Sequence, residues 1–447
     1  MSQSSSSQPK SNTAVTSRER WAWYWYDFGN SAYAAVVLLA IYSAYFKNSV
    51  VGGAEGSRLW GIALAIAMFV VAISSPILGV IADYSGLKKR FLLIYTALCC
   101  VCTALLFFVQ TGDIFIGMTF FILAEIGYRG AQVFYNALLP EIAQPDEIGR
   151  VSGNGWAIGS AGGILCLVIV LPLIVLIGGS FIVRLSLVIT AIFFAVSSIP
   201  LFTRLSERAQ PRPLPAGETY LSLAFKQLWQ TIKTARHYQV FVIFMVAFII
   251  YNDGIIMALD FAAIIGTVLY GMTQEQLITF IILVQVTSVM GAYLFGITSD
   301  RWSSKQALIV SLILMIGAVL WLYVNPSLVG FYFIGGLAGF ALTGVQSVSR
   351  TMVGKLSPPG QSAEFYGLFA VAGRSSSLIG PLVYGIIAAE VALQYSANGA
   401  TEQVAEQAGQ RTAILSIVAF LVVGLVILLF VDEAKGRLAA RQGPNVA

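Results

Sequence analysis

The stretch LWGIALAIAMFVVAISSPILGVIADYSGLKK, residues 59–89, decides the fold class of this chain. Its first part, residues 59–82, is almost entirely apolar or small, and about 20 such residues are enough for a helix to cross a bilayer. The stretch ends in a short polar turn and two lysines, which are typical of the cytoplasmic side of a membrane. We therefore predict a membrane-spanning helix that ends at a cytoplasmic loop.

Eleven further stretches have the same character, which predicts an all-α polytopic membrane protein with twelve transmembrane helices. Hydrophobic residues make up 57% of the 447 residues and charged residues 11%. This composition excludes a soluble enzyme, a disordered chain and a secreted disulfide scaffold. The predicted spans are residues 24–46, 59–82, 91–111, 114–138, 151–177, 180–202, 238–259, 274–298, 305–324, 328–353, 364–390 and 411–431.

The distribution of positive charge predicts the orientation. With both termini cytoplasmic, 19 of the 26 Lys and Arg residues fall in inner segments and three in outer segments, as the positive-inside rule requires. The resulting segments are a disordered cytoplasmic tail (1–20), an N-terminal six-helix bundle (21–202), a cytoplasmic linker (203–236), a C-terminal six-helix bundle (237–433) and a second tail (434–447). Within the linker, Leu221, Phe225, Leu228 and Ile232 predict an amphipathic helix, either on the inner leaflet or in solution.

The two halves repeat each other. The segment Gly79–Asp83 reappears as Gly296–Asp300, at an offset of 217 positions between the two aspartates. The segment Gly153–Gly159 is similar to Gly367–Gly373, which follows it by 214 residues. Two similar offsets at equivalent helices indicate a duplicated six-helix unit, as in many transporters.

The segment that begins at Gly79 resembles the loop motif of the major facilitator superfamily, and the segment that begins at Gly296 resembles a second copy of it. The resemblance implies two pseudo-symmetric bundles and a gating motif at the cytoplasmic face. The motif residues of this chain are Gly79, Asp83, Gly86 and Lys88 in the first copy and Asp300 and Arg301 in the second. The first copy departs from the family pattern at Tyr84 and Leu87, and the second has Ser303 in place of its second glycine.

A narrower resemblance is to the vacuole-effluxer-like branch, whose fungal members are autophagy-related amino-acid exporters. The match extends from residue 21 to about 432 without the long fungal insertions, so the chain is similar to the compact bacterial type. The resemblance implies export of amino acids or related small metabolites, in a bacterial inner membrane or a vacuolar membrane. The motifs that carry it are Trp25–Tyr33, Phe134–Glu141, Gly149–Trp156, Tyr251–Gly254, Ala363–Phe369 and Gly373–Pro381.

Charged residues inside the predicted spans are the candidate site residues, because ionisable groups are costly in a bilayer unless they face a cavity or a partner. Glu125 and Arg129 stand four residues apart near the middle of the fourth span, which predicts an ion pair on one helix face. The pair has either a structural role alone or that of a switch, in which protonation of Glu125 frees Arg129 to meet an anion.

Arg374 lies near the middle of the eleventh span, with no carboxylate within one helical turn and with Ser375 beside it. A guanidinium suits a carboxylate ligand. We therefore assign both residues to a substrate cavity; the alternative is an interhelical pair of Arg374 with Asp27, Glu125 or Asp253.

Asn252 and Asp253 precede a glycine deep in the seventh span. Such a triplet favours either local unwinding that exposes backbone groups to a ligand, or a simple kink. Both residues are assigned to the cavity. Glu125, Asp253 and Asp27 are the candidates for proton coupling, although Asp27 also suits a cap or latch near the inner end of the first span. Asp260 is expected at the outer mouth.

The sequence thus predicts a secondary active transporter that works by alternating access. Its expected partners are the bilayer, a small-molecule substrate and a proton or sodium ion, without nucleic acid or an obligate protein partner. It has no phosphate-binding loop, catalytic serine motif or zinc-ligand cluster, so we expect no enzyme activity, cofactor or metal. The alternatives are a cation-coupled sugar symporter, a drug efflux pump and a non-transporting membrane receptor.

Overall fold

The computed structural model describes residues 16–143, 148–208, 213–215, 217–301, 303–358 and 362–442. Twelve helices in these ranges are long and apolar enough to cross a membrane, which confirms the predicted number of spans. The spans are built from α1 (Ser17–Tyr33, continued to Val51), α2 (Gly53–Tyr84), α3 (Lys88–Leu105), α4 (Ile114–Ala137), α5 (Ile148–Leu176), α6 (Gly179–Arg204), α7 (Gln239–Asp260), α8 (Gln274–Arg301), α9 (Ser304–Val324), α10 (Leu328–Leu356), α11 (Ser362–Ser375 and Ile379–Ala397) and α12 (Glu402–Leu429).

The helices form two halves, α1–α6 and α7–α12. In the first half α1 packs on α5 and α6, and α3 on α4; in the second half α7 packs on α12, and α8 on α10. Between the halves, α2 packs on α11 and α5 on α8. These two contacts are equivalent by the pseudo-symmetry of the halves. In that symmetry α2 corresponds to α8 and α5 to α11, so the α2–α11 contact in one direction is the α8–α5 contact in the other. The face where α1 begins and α12 ends is called the terminal face below, and the opposite face the distal face.

The first helix begins earlier than the sequence indicated. Thr16 and Glu19 form a capping box, in which each side chain accepts from the backbone N–H of the other, so residues 17–20 are helical and not part of a disordered tail. The rest of that tail, residues 1–15, lies outside the described residues. Toward the distal face α1 widens into two π-helical segments, Ala34–Ala40 and Phe46–Val51.

The irregularity expected in α7 lies in α11. The helix α7 runs without interruption through Asn252 and Asp253, so the predicted unwinding there is wrong. Its N–H and C=O groups stay paired within the helix, and Gly254 packs against α12. In contrast, α11 ends its first segment at Ser375 and resumes at Ile379.

Besides the four-residue helix Leu139–Ile142, two longer helices of the described chain lie outside the spans on the terminal face. The linker helix Tyr220–Ala235 begins at a capping box formed by Thr219 and Ser222. It packs on Val80 of α2 through Leu223 and Ala224. A second helix, Glu433–Gln442, occupies most of the segment expected to be a C-terminal tail.

Candidate functional site

An ion pair lies near the middle of the bilayer on α4. Glu125 is the twelfth residue of this helix, which places it roughly 18 Å along the helix axis. Its Oε1 accepts a hydrogen bond from Arg129 Nε at 2.7 Å. Glu125 is fully buried, whereas the Arg129 side chain is 22% exposed and its guanidinium lies 5.2 Å from the ring centre of Tyr128. The structure thus contains the pair that the spacing predicted, with Arg129 as its accessible member.

Asp260 is the last residue of α7, and a short helix, Ala262–Tyr270, follows it. The expectation that Asp260 lies at the outer mouth stays a prediction. Asp260 is buried at 4% exposure. Its backbone oxygen accepts from Trp60 Nε1 of α2 at 3.0 Å.

Asn252 and Asp253 hold the break in α11. Asn252 Nδ2 donates to Ser376 Oγ at 2.7 Å. The backbone N–H of Gly380 donates to both Asp253 carboxylate oxygens, at 2.9 and 3.0 Å. A carboxylate at a helix N-terminus satisfies an otherwise unpaired N–H and interacts favourably with the helix dipole. These contacts give Asp253 a positioning role for the second segment of α11.

Five predicted site residues have side chains outside the described part of the chain. The backbone of Arg374 lies in the last turn before the break in α11, directly after Gly373, whose carbonyl oxygen accepts from Asn252 Nδ2 at 3.5 Å. The five residues are Arg374, Ser375, Asp83, Asp300 and Arg301.

Asp27 lies between the two halves near the terminal face. A Cβ atom on Gly159 of α5 would stand 2.7 Å from Asp27 Oδ2, so the carboxylate points at a helix and not at the membrane surface. It interacts electrostatically with Arg350 of α10, across the boundary between the halves. Among the described residues, Asp27 and Arg350 do not form a direct ion pair in this conformation. A closer approach of the two halves at the terminal face would bring the two groups together.

Lys88 of the gating motif forms an ion pair within its own half. Gly86 has a positive φ of 60°, which a residue without Cβ adopts readily. Among the described residues, a Cβ on Gly79 would meet no atom within 4 Å. Lys88 Nζ lies 2.7 Å from Glu141 Oε1. Burial raises the pKa of the neighbouring Glu207 carboxyl, although the Lys88 backbone N–H donates to it.

The distal face is closed by polar contacts between the halves. Lys47 pairs with Glu406 of α12, and the two side chains are only 4% and 13% exposed. Arg58 of α2 pairs with Glu390 of α11, at 26% and 55% exposure. Gln410 Nε2 donates to Ser57 Oγ at 2.8 Å. We call these three contacts the distal lock.

Glycines let α2 and α11 approach closely beneath this lock. A Cβ on Gly61 would stand 2.4 Å from the carbonyl oxygen of Pro381, and one on Gly385 would stand 2.7 Å from the carbonyl oxygen of Ser57. Real Cβ atoms do not come that close to backbone oxygens. The closed distal face therefore depends on the absence of side chains at these two positions.

An apolar cavity of about 170 Å³ lies in the second half and reaches the boundary with the first. Phe280, Val284, Phe331 and Ile417 are among its lining residues, together with Leu39 of α1 and one amide, Gln285. Gln285 faces α5, since its Nε2 would lie 3.4 Å from a Cβ on Gly163. The cavity is therefore an apolar chamber whose lining includes the Gln285 amide at the boundary between the halves.

Sequence reasoning did not identify several of these residues. Trp60 had no signal, since aromatic residues are common throughout the chain. The Lys47–Glu406 pair joins residues 359 positions apart, and no local pattern predicts such a pair.

Comparison with known proteins places the chain among transporters. The sequence model of the family described as "Vacuole effluxer Atg22 like" matches residues 60–441. An uncharacterized MFS-type transporter of Bacillus subtilis (strain 168), YxiO, is 27% identical over 428 residues, which cover 93% of this chain and 95% of that protein. Autophagy-related protein 22-1 of Penicillium rubens is 26% identical over 313 residues. That match covers 64% of this chain and 50% of the fungal protein, so the chain spans about half the length of this relative.

Solved structures show the same fold. A bacterial homolog of the human lysosomal transporter Spinster, in an inward-facing and unoccupied conformation, has a TM-score of 0.69 at 14% identity and covers 97% of this chain and 100% of its own. The nucleoside transporter NupG has a TM-score of 0.63 at 15% identity and covers 93% of this chain and 98% of its own. At these identities the likeness establishes the major facilitator fold alone.

Proposed function

We propose, from the premise that this chain belongs to the vacuole effluxer Atg22-like family, that it exports amino acids by alternating access. The chain is a transporter of major facilitator type, not an enzyme, and an integral multi-pass membrane protein. The substrate, the direction and the coupling are the parts proposed here.

The observation that carries the alternating-access proposal is where the halves are joined. The hydrogen bonds and ion pairs that connect described residues of the two halves lie toward the distal face, at Lys47, Ser57, Arg58 and Trp60. Contacts that join the two halves at one face are what one state of an alternating-access cycle requires.

We assign the terminal face to the cytoplasm, as the distribution of Lys and Arg predicts. The linker helix on this face leaves 52%, 51% and 67% of the surface of Leu221, Phe225 and Trp229 exposed. An apolar helix face of this kind suits the headgroup region of a membrane. The bacterial inner membrane is the proposed location, consistent with the full-length match to the Bacillus protein.

For the substrate we propose a zwitterion with an apolar side chain. The apolar chamber beside Gln285 suits the side chain, and Arg374 is the proposed partner of the carboxylate, through two parallel N–H donors. The neighbouring Ser375 is the proposed hydroxyl contact. The contacts of Asp253 favour positioning of α11 over proton coupling, so that Glu125 and Asp27 are the proposed coupling groups.

Thermal unfolding of the purified protein in detergent tests the substrate proposal. Amino acids, dipeptides, sugars with sodium, and drugs are each added at pH 5.5 and 7.5, and a ligand that binds the folded state raises the Tm by mass action. We expect apolar amino acids to raise the Tm of the wild type but not of Arg374→Ala. A shift with sugar and sodium alone would instead support the symporter alternative, and an unchanged response of Arg374→Ala would remove this residue from the site.

A further inference from the structure

One side of α2 carries an apolar stripe that faces the lipid. Ile66, Phe69 and Ile73 are large apolar residues of this stripe, and each is exposed. They lie on the opposite side of the helix from Trp60, whose indole N–H donates to α7. Because exposed apolar side chains in the middle of a membrane span contact acyl chains, this side of α2 is the one that borders the bilayer.

The linker helix covers the end of the same stripe. Ile77, Val80 and Tyr84 continue it at intervals of three or four residues toward the terminal face. Val80 is buried against Leu223 and Ala224 of the linker helix, and Ile77 and Tyr84 pack at the edge of this cluster. Val80 lies four residues, roughly 6 Å, before the end of α2. The linker helix therefore lies on the bilayer side of α2, at the depth of the lipid headgroups.

A second apolar stripe, on the linker helix itself, points away from the protein. Leu221, Phe225, Trp229 and Ile232 recur every three or four residues and so share one helix face. At least 40% of each residue is exposed. An exposed face of four large apolar side chains calls for a cover, and the position of this helix beside the lipid-facing side of α2 identifies the bilayer as that cover.

Positive charges accompany this stripe. Lys226 and Lys233 stand three and four residues from Trp229, which places them beside the stripe. Both are exposed, as is Arg236 at the end of the helix. Lys226 Nζ donates to Glu218 at 2.7 Å, whereas Lys233 and Arg236 form no ion pair within the described chain. Basic side chains at a membrane surface attract anionic headgroups.

We propose that the exposed face of the linker helix is a docking surface for anionic phospholipids of the adjacent leaflet. Leu221, Phe225 and Trp229 enter the boundary between headgroups and acyl chains, and Lys233 and Arg236 contact lipid phosphates. Anionic lipids are preferred over zwitterionic lipids because their headgroups carry a net negative charge. This surface goes beyond the proposed function, since it depends on neither the substrate nor the direction of transport.

Quenching of a fluorophore by labelled lipids tests this surface in the full-length protein. The four native cysteines are replaced by alanine, and an environment-sensitive fluorophore is attached through Trp229→Cys. Gln230→Cys is the matched control, because Gln230 is equally an exposed residue of this helix but lies outside the apolar stripe. The protein is placed in nanodiscs of phosphatidylcholine and phosphatidylglycerol, with a nitroxide near the top of one acyl chain. We expect at least threefold stronger quenching at position 229 than at position 230.

The same label identifies the class of lipid. At low salt, nitroxide-labelled phosphatidylglycerol should quench position 229 at least twice as strongly as an equal mole fraction of labelled phosphatidylcholine. High salt should lower this ratio, because it screens exposed charges. Lys233→Gln combined with Arg236→Gln should bring the ratio close to one. Lys435→Gln combined with Arg441→Gln removes two exposed charges from the C-terminal helix on the same face and should leave the ratio unchanged.

Three results would overturn the proposal. Equal quenching at positions 229 and 230, in protein that unfolds at the wild-type Tm, would show that the bilayer does not cover this face. Equal quenching by the two labelled lipids would show that the face has no preference for anionic headgroups. A label that is shielded from lipid in nanodiscs holding two copies of the protein, and exposed to solvent in nanodiscs holding one, would identify a second copy as the occupant.

The outcome is separable from that of the proposed function. The quenching measurements contain no substrate, so selective quenching by phosphatidylglycerol supports the docking surface even if no amino acid is transported. Amino-acid transport by a protein whose label shows no lipid preference would remove the docking surface and leave the proposed function intact.

Discussion

The backbone N–H of Gly380 donates to both carboxylate oxygens of Asp253, at 2.9 and 3.0 Å, and thereby links α7 to the second segment of α11. A Cβ on Gly380 would stand 2.4 Å from Asp253 Oδ1, so the glycine is required for this contact. Asp253 was a candidate for proton coupling on the sequence, and the geometry makes it an acceptor for the N-terminal turn of the second segment of α11.

This assignment predicts how Asp253 variants behave. Asp253→Ala leaves the N–H of Gly380 buried without an acceptor and should lower stability by about 1–2 kcal/mol, measured as a lower Tm in detergent. Asp253→Asn keeps an acceptor oxygen and should lose less. The pH profile of transport should be the same in Asp253→Asn as in the wild type. A normal Tm together with loss of the pH dependence would instead identify Asp253 as a coupling residue.

The pair Asp27 and Arg350 should close the terminal face in the other state of the cycle. The two residues interact across the halves without direct contact in this conformation. We expect Asp27→Asn and Arg350→Gln each to slow transport in proteoliposomes. The double variant should be little slower than either single variant, with a coupling free energy of about 1 kcal/mol or more in a double-mutant cycle. Strictly additive effects would show that the two residues act separately.

The fold was predictable because hydropathy dominates it. The twelve apolar stretches became twelve spans, and the position of the linker helix divided them into two sets of six. The i,i+4 spacing of Glu125 and Arg129 also predicted their ion pair, since a helix places such residues on one face.

The finer geometry was not predictable for reasons that concern individual residues. The triplet ending in Gly254 looked like a helix break, yet the packing of this glycine on α12 keeps α7 continuous. The break lies in α11, where Asp253 and Asn252 supply partners for the freed backbone, a compensation that only the fold reveals.

The distal lock predicts different effects for its two ion pairs. Glu406→Gln leaves Lys47 buried and unpaired in the closed state, at a cost of about 3–5 kcal/mol, whereas the more exposed Arg58–Glu390 pair contributes about 0–1 kcal/mol. A cysteine at Ser57 reports opening through its reaction with a membrane-impermeant maleimide. Glu406→Gln should raise this reaction rate at least tenfold, and Glu390→Gln should change it less than twofold. Similar rates in both variants would contradict an energetic role for Lys47.

The close approach of α2 and α11 predicts that bulk at Gly61 prevents distal closure. Gly61→Val would force side-chain atoms into the carbonyl of Pro381 and should reduce transport at least tenfold while increasing distal accessibility. Gly317→Val is the matched control, because a Cβ on this glycine of α9 meets no atom within 4 Å. Equal transport rates of the two variants in proteoliposomes would show that the close approach of α2 and α11 at Gly61 is not required for transport.

Counterflow tests the central claim, that this chain carries amino acids across a membrane by alternating access, most directly. Proteoliposomes are loaded with an unlabelled apolar amino acid and diluted into a trace of the same labelled compound, so that only binding and reorientation are required. We predict a transient accumulation of label with the wild type and almost none with Gly61→Val. The absence of accumulation for every amino acid, in vesicles whose protein unfolds cooperatively and at the wild-type Tm, would contradict the claim.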